Sequence, residues 1–138
     1  GYRELFGVEL QWRAVEHAHL NLPHINIVQG SAFDIPFRDG WFDVVFTSGV
    51  LIHLSPMDVE VAMREIYRCS SRYIWGHEYW APEWTEVSYR GHDDLLWKID
   101  YAQLYRRLFP DLRPVTEERL KSTTDSNIDT MFLLEKAR

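Results

Sequence analysis

Cysteine is nearly absent from this chain: Cys69 stands alone among 138 residues. No internal disulfide can form, and the usage fits a reducing compartment such as the cytoplasm. Long apolar runs are missing too. None approaches the roughly 18 residues of a membrane span, and no signal-peptide pattern precedes the first strand candidate, so no membrane partner is expected. Positive charge is in deficit, with 15 Lys and Arg against 21 Asp and Glu and a net charge of −6. That balance disfavours a protein that grips a nucleic-acid backbone. It leaves room for a small anion held by local Arg or Lys. Repeats and low-complexity stretches are absent. Six histidines occur, but no His-Glu-x-x-His run or cysteine pair accompanies them, so no metal site is expected. The chain opens on Gly1 rather than Met, which suggests a fragment or a processed product.

What is present is ordinary in amount and unusual in kind. Hydrophobic residues make up 46% and charged residues 26%, as in many globular domains, and the length suffices for a single domain with a real core. Aromatics reach 14%, with six Trp, which predicts a large aromatic core or pocket. The pattern alternates strand and helix. Residues 5–10 read as a short buried strand, and 11–22 as a helix with Trp12, Val15, His19 and Leu22 near one face, stopped by Pro23. Residues 25–29 form a second strand candidate. Residues 30–37 read as a loop in which Phe37 plugs the core, and Arg38-Asp39-Gly40 reads as a turn. The run 42–47 is continuously apolar apart from Asp43, like a strand covered on both faces.

The second half continues the alternation. Ser55-Pro56-Met57-Asp58 predicts a helix start with Ser55 as N-cap and Pro56 at the first position. Val59, Ala62, Met63, Ile66 and Tyr67 then make an apolar stripe. Residues 73–76 read as a fourth strand and 80–92 as a long irregular segment suited to an active-site loop. Asp100 is the expected cap of a helix with Tyr101, Leu104, Tyr105 and Leu108 on one face. Strand candidates at 112–120 and 128–134 close the chain as a hairpin. Alternation followed by an antiparallel hairpin predicts an α/β three-layer sandwich.

One carboxylate stands out. Glu9 ends the first strand, where α/β nucleotide-binding folds place the acid that takes a ribose diol. A carboxylate offers two acceptor oxygens to two vicinal donors. A solvent-facing Glu at a helix start is the plainer alternative. The glycine-rich strand–turn–helix expected just upstream is not in the sequence.

Together, Glu9, the run Gly30-Ser31-Ala32-Phe33-Asp34-Ile35-Pro36-Phe37 and the run Phe42-Asp43-Val44-Val45-Phe46-Thr47-Ser48-Gly49-Val50-Leu51-Ile52-His53-Leu54 resemble the class I S-adenosylmethionine-dependent methyltransferases. The resemblance runs from the second strand of that fold to its seventh. Met63-Arg64-Glu65-Ile66-Tyr67-Arg68-Cys69-Ser70, Tyr89-Arg90-Gly91-His92 and Leu96-Trp97-Lys98 resemble the methylases associated with pseudaminic acid biosynthesis. The resemblance implies a Rossmann-like fold lacking its first strand and S-adenosylmethionine as cofactor. It implies cofactor contacts at Glu9, at Ser31, Ala32, Phe33 and Asp34 around adenine, and at Ser48, Gly49 and Val50 around the methionine part. Ser31 departs from the family, which usually has Asp there. Asp43 falls at the far end of its strand and is expected to be structural.

His53, His77 and Glu78 are candidate proton acceptors for a hydroxyl or amine nucleophile. His53 could equally cap the following helix. His17, His19 and His24 are expected at the surface. Tyr79, Trp80, Tyr89, Arg90 and His92, with Trp84, are expected to form an aromatic acceptor pocket for a small polar molecule. Methyl transfer from a sulfonium depends chiefly on in-line positioning, so it need not use a strong base. A nicotinamide-dependent dehydrogenase would also use Glu9, but the two later runs argue against it by resemblance. With the family's first strand missing, two inner strands lose a common neighbour. Self-association, most simply as a homodimer, and weakened cofactor binding are therefore expected. A non-catalytic, self-associating remnant of the fold is the alternative to an enzyme.

Overall fold

The computed structural model describes residues 4–121, 123 and 125–137. Its contacts group into two compact units, Gly1–Phe37 and Arg38–Arg138.

The first unit is a parallel β-α-β element: β1 (Phe6–Glu9), α1 (Trp12–Asn21) and β2 (Asn26–Gln29). The two strands pair in parallel from Phe6↔Asn26 to Glu9↔Gln29. Val15 alone of α1 is buried, while Trp12 is 53% exposed. The predicted four-residue apolar face is thus reduced to one anchor, because a two-stranded sheet is too narrow to cover a whole helix face. His19 is exposed as expected, yet its Nε2 lies 2.6 Å from the Ile27 carbonyl oxygen and ties α1 to β2. Phe37 is half-buried and packs edge-on against Phe6, with centroids 5.6 Å apart.

The second unit is built on β3 (Phe42–Ser48), α2 (Val59–Cys69), β4 (Ser70–Trp80), the short strands β5 (Thr85–Glu86) and β6 (Trp97–Lys98), α3 (Tyr101–Leu108), β7 (Leu112–Lys121) and β8 (Ile128–Lys136). The order in its main sheet is β3-β4-β8-β7. β3 runs parallel to β4, and β8 is antiparallel to both β4 and β7. The fold is mixed α/β, and the expected C-terminal hairpin is present. β1 pairs with β2 alone and β3 with β4 alone among the described residues.

Local chemistry explains the packing. The α2 stripe Val59, Ala62, Met63, Ile66 and Cys69 is buried, as are Tyr101, Ala102, Leu104 and Tyr105 of α3. α2 packs on β3 and β4, and α3 on β4 and β7. Along β4 the strand alternation buries Ile74, Gly76 and Glu78. Gly76 faces Phe132 across the β4–β8 ladder, and a Cβ there would lie 2.1 Å from the phenyl ring. The Lys136 ammonium donates to the carbonyls of Tyr67 and Ser70 at the α2 C-terminus, where the helix dipole favours a cation. Asp100 caps α3 as predicted, its Oδ1 accepting from the Gln103 N–H at 2.8 Å.

Three expectations are corrected. The helix predicted from Ser55 begins at Val59, because the Ser55 carbonyl takes the N–H groups of both Asp58 and Val59 in a turn. The Ser55 hydroxyl donates to Asp58 Oδ2 instead of capping. β4 does not end at Gly76 but continues to Trp80, since every residue from Tyr73 to Trp80 has a partner on β8. β3 is not covered on both faces: Val44 and Phe46, two residues apart and so on one face, are 42% and 63% exposed. Among the described residues no helix is long and apolar enough to cross a membrane.

Candidate active site

In the second unit the chain leaves the carboxyl end of β3 through a tight turn. Gly49 sits at φ +62°, a left-handed conformation that glycine adopts without strain. No atom lies within 4 Å of the place its Cβ would occupy, so backbone is presented to open space. The Gly49 N–H donates to the His77 carbonyl at 2.9 Å, and a single 3₁₀ turn, Leu51–His53, follows. Leu51 and Ile52 are buried beneath it.

Glu78 reaches this turn from β4. It is 1% exposed. Its Oε1 accepts from the Val50 N–H at 3.3 Å and its Oε2 from the Ile52 N–H at 3.4 Å. The Thr47 side chain and the Leu51 N–H also favour its charged form. Burial pushes the carboxyl pKa above its ordinary value, and these donors pull it partly back. Tyr101 and Tyr105 of α3 are shifted up by burial and then by the nearby Glu78 charge. A cavity of about 160 Å³ opens beside the turn, lined by Ser48, Gly49, Ile52, His77, Glu78, Tyr79 and Asp129. That is smaller than the roughly 300 Å³ at which drug-sized ligand pockets begin, so it suits part of a ligand.

The aromatic residues expected to share one acceptor pocket divide into three groups. The Tyr79 hydroxyl donates to Asp125 Oδ2 at 2.9 Å, and the Arg119 guanidinium lies over the Trp80 ring at 4.0 Å. Trp84 packs edge-on against Tyr101 and lines a separate cavity of about 230 Å³ with Asp100, Gln103 and Arg107. Tyr89 and His92 exchange backbone hydrogen bonds at 2.8 and 3.0 Å around Arg90 (φ 52°) and Gly91 (φ 78°). This is a two-residue turn with both central residues left-handed, as in the hairpin turns that match strand twist. A single aromatic pocket is therefore not formed; β4 holds Tyr79 and Trp80 against the β7–β8 hairpin while the 85–98 segment folds on itself.

His53 joins the third group. Its Nδ1 lies 3.1 Å from the Leu95 carbonyl and its ring meets Tyr89 edge-on at 5.5 Å. It faces the 89–95 loop and does not cap α2. His77 stacks on Trp75 at 6.3 Å and lines the smaller cavity. Glu78, expected as a proton acceptor, has its carboxylate turned onto backbone N–H groups instead.

The first unit places Glu9 at the end of β1, where its Oε1 accepts from the Gln11 N–H at 2.8 Å. Oε2 has no hydrogen-bond partner among the described residues. Ser31 Oγ accepts from the Phe33 N–H at 3.1 Å, and the Asp34 N–H donates to the Ser31 carbonyl, closing a small turn. Phe33 is 42% exposed, and the Asp34 side chain is exposed as well. Ser31 is therefore occupied in shaping its own loop, while Phe33 and Asp34 present a ring face and an acceptor to solvent. Within the first unit the open Glu9 oxygen and the exposed Phe33 ring have the chemistry for a ribose hydroxyl and a base; within the second, the bare Gly49 backbone leaves room for the amino-acid part of S-adenosylmethionine. Among the described residues no group of three or more His, Cys, Asp or Glu could hold a metal ion.

Thr47 and Asp129 were not singled out by the sequence. Asp129 has no local signal, since its place depends on the β4–β8 register opposite Tyr79. The burial of Glu78 did carry a signal: it follows Ile74 and Gly76 at the strand period of two.

Residues 1–72 match the family described as methyltransferase domain. A segment of 62 residues is 34% identical to an uncharacterized methyltransferase of Synechocystis, covering 45% of this chain and 29% of that relative's length. Among solved structures, an S-adenosylmethionine-dependent methyltransferase of Methanosarcina mazei superposes with a TM-score of 0.78 at 11% identity, covering 97% of this chain and 82% of its own. The 1,6-didemethyltoxoflavin-N1-methyltransferase of Burkholderia thailandensis, with bound 1,6-didemethyltoxoflavin and S-adenosylhomocysteine, gives 0.77 at 14% identity, covering 100% of this chain and 63% of its own.

Proposed function

Because the chain belongs to the methyltransferase domain family, we propose that it serves S-adenosylmethionine-dependent methyl transfer to an oxygen or nitrogen of a small polar metabolite. The observation that carries this reading is the turn after β3. Open α/β sheets bind ligands at the carboxyl ends of their strands. Here that end offers a bare glycine backbone beside a cavity, with His77 and Tyr79 on its wall. In the first unit the open oxygen of Glu9 is assigned to the ribose hydroxyls, and the 31–34 loop to adenine. In the second, Ser48, Gly49 and Val50 are assigned to the methionine part.

The cofactor supplies an activated methyl group on a sulfonium. The acceptor's proton would leave to a neighbouring base or to water. The protein's task is to align the acceptor and exclude water. His77, on the cavity wall, and His53, beside the Tyr89–His92 turn, are assigned as the groups that can take the proton. Arg90 and His92 are assigned to the acceptor, with Tyr89 shaping their turn. An acceptor of the nonulosonic sugar class, met in the cytoplasm, rests on the resemblance of residues 63–70 and 89–98 alone.

The test is methyl transfer from labelled S-adenosylmethionine to a panel of small polar metabolites that includes sugar nucleotides. We expect turnover on one class, reduced at least tenfold in His92→Ala while S-adenosylhomocysteine affinity changes little. Equal loss of both would remove the acceptor assignment.

A second reading is favoured by one observation. Among the described residues β3 ends its sheet, with Val44 and Phe46 exposed, and a sheet edge templates pairing with another chain. A self-associating module of this fold without catalysis, most simply a two-fold dimer, is that reading.

A further inference from the structure

One buried carboxylate in the second unit is left unused by the transfer chemistry. Glu78 is buried on β4 and faces Thr130 directly across the β4–β8 ladder. Both carboxylate oxygens point at donors, Val50 N–H on Oε1 and Ile52 N–H on Oε2, and the Leu51 N–H and the Thr47 side chain further favour the charged form. An ionised carboxylate is an acceptor only and satisfies all of these, whereas a protonated one would turn a hydrogen toward a donor. Without that acceptor, the amides that open the 3₁₀ turn would be orphaned in a buried place, where each unsatisfied group is costly.

We infer that Glu78 is a positioning residue for cofactor binding: its ionised carboxylate clamps the 50–52 amides and so holds the Ser48–Val50 backbone in its ligand-receiving shape. The role rests on the reading of that turn as the seat of the methionine part. It explains why a charge is kept in a core otherwise built from Ile74, Phe132 and Leu134. It also makes the seat sensitive to acid. The groups facing the carboxylate are Thr47 from β3, Tyr101 and Tyr105 from α3 and Thr130 from β8, with His77 and Asp129 sharing the adjacent cavity. None of these is a Lys or Arg that would hold the charge at low pH, and burial already favours its loss.

The test uses the full chain and two readouts. Amide hydrogen exchange of Val50 and Ile52 reports the clamp without any ligand. Calorimetry with S-adenosylhomocysteine across pH reports its consequence. Glu78→Gln puts a donor against a donor. Exchange at Val50 or Ile52 should rise about tenfold or more, the size of one lost bond to a charged group, while amides in α2 keep their protection. In the unmodified chain S-adenosylhomocysteine affinity should fall several-fold on acidification, and that pH step should vanish in Glu78→Gln, which retains Glu9, His77 and Asp129. If Glu78→Gln does not fold, Thr47→Val removes a polar neighbour that favours the same charge and should speed the same two amides. Unchanged exchange at Val50 and Ile52 in a folded variant, or an identical pH step with and without Glu78, overturns the inference. If the unmodified chain fails to bind S-adenosylhomocysteine, the proposed function falls, while the exchange measurement still decides whether the clamp exists.

Discussion

Glu9 has one carboxylate oxygen engaged, its Oε1 accepting from the Gln11 N–H ahead of α1, and under the proposed function its Oε2 would take a ribose hydroxyl. Replacing it by Ala should therefore have a double effect: S-adenosylhomocysteine binding weaker by about 1.5–3 kcal/mol, the range for hydrogen bonds to a charged group, and a smaller loss of stability from the unmade helix contact. Calorimetry and denaturant unfolding on the same variant separate the two; undiminished binding would remove Glu9 from the site. This carboxylate was legible in the sequence because a strand end followed by a helix fixes its position locally. Glu78 was singled out in the sequence as a proton acceptor, but its bonding to backbone was not legible there. Its partners sit on the turn 50–52, distant in sequence, and strand length decided the matter: β4 runs on to Trp80, which turns Glu78 inward. Ser31 shows the same limit at short range, since its hydroxyl bonds the Phe33 N–H two residues on and leaves the loop's exposed acceptor to Asp34.

Among the elements, β4 carries the most. It connects the parallel β3 to the antiparallel hairpin, and its inward face needs Gly76 because Phe132 occupies the space above it. Gly76→Ala should destabilise the fold by about 1–3 kcal/mol through overpacking, with part recovered when Phe132→Leu is added, as expected for residues in contact. Chemical denaturation of the two single variants and the double variant measures this coupling, and strict additivity would contradict the packing account. Helices α2 and α3 and the β7–β8 hairpin were readable because their apolar periods are long and their breaks are marked. The start of α2 was not. Ser55-Pro56-Met57-Asp58 has the residues of a helix cap, but the Ser55 carbonyl closes a turn first. The split of the aromatic segment was not readable either, because residues 79–92 acquire their partners from β8, α3 and their own 89–92 turn.

At the scale of the molecule, the two edges of the main sheet are built differently. β7 carries Pro114, an irregularity between Pro114 and Thr116, and the charges Glu117, Glu118, Arg119 and Lys121, all of which discourage further pairing. β3 carries a single charge, Asp43, and exposes Val44 and Phe46. Concentration-dependent self-association through β3 is the expected outcome, reduced by Phe46→Lys; light scattering that reports a monomer at every concentration for the unmodified chain would rule it out. The alternation of strand and helix indicates the fold class, and the family match over residues 1–72 underlies the proposed cofactor. The most direct measurement is a calorimetric titration of S-adenosylhomocysteine into the chain at neutral pH. The account predicts saturable binding with one ligand per chain, weakened in Glu9→Ala. The absence of saturable binding would contradict it.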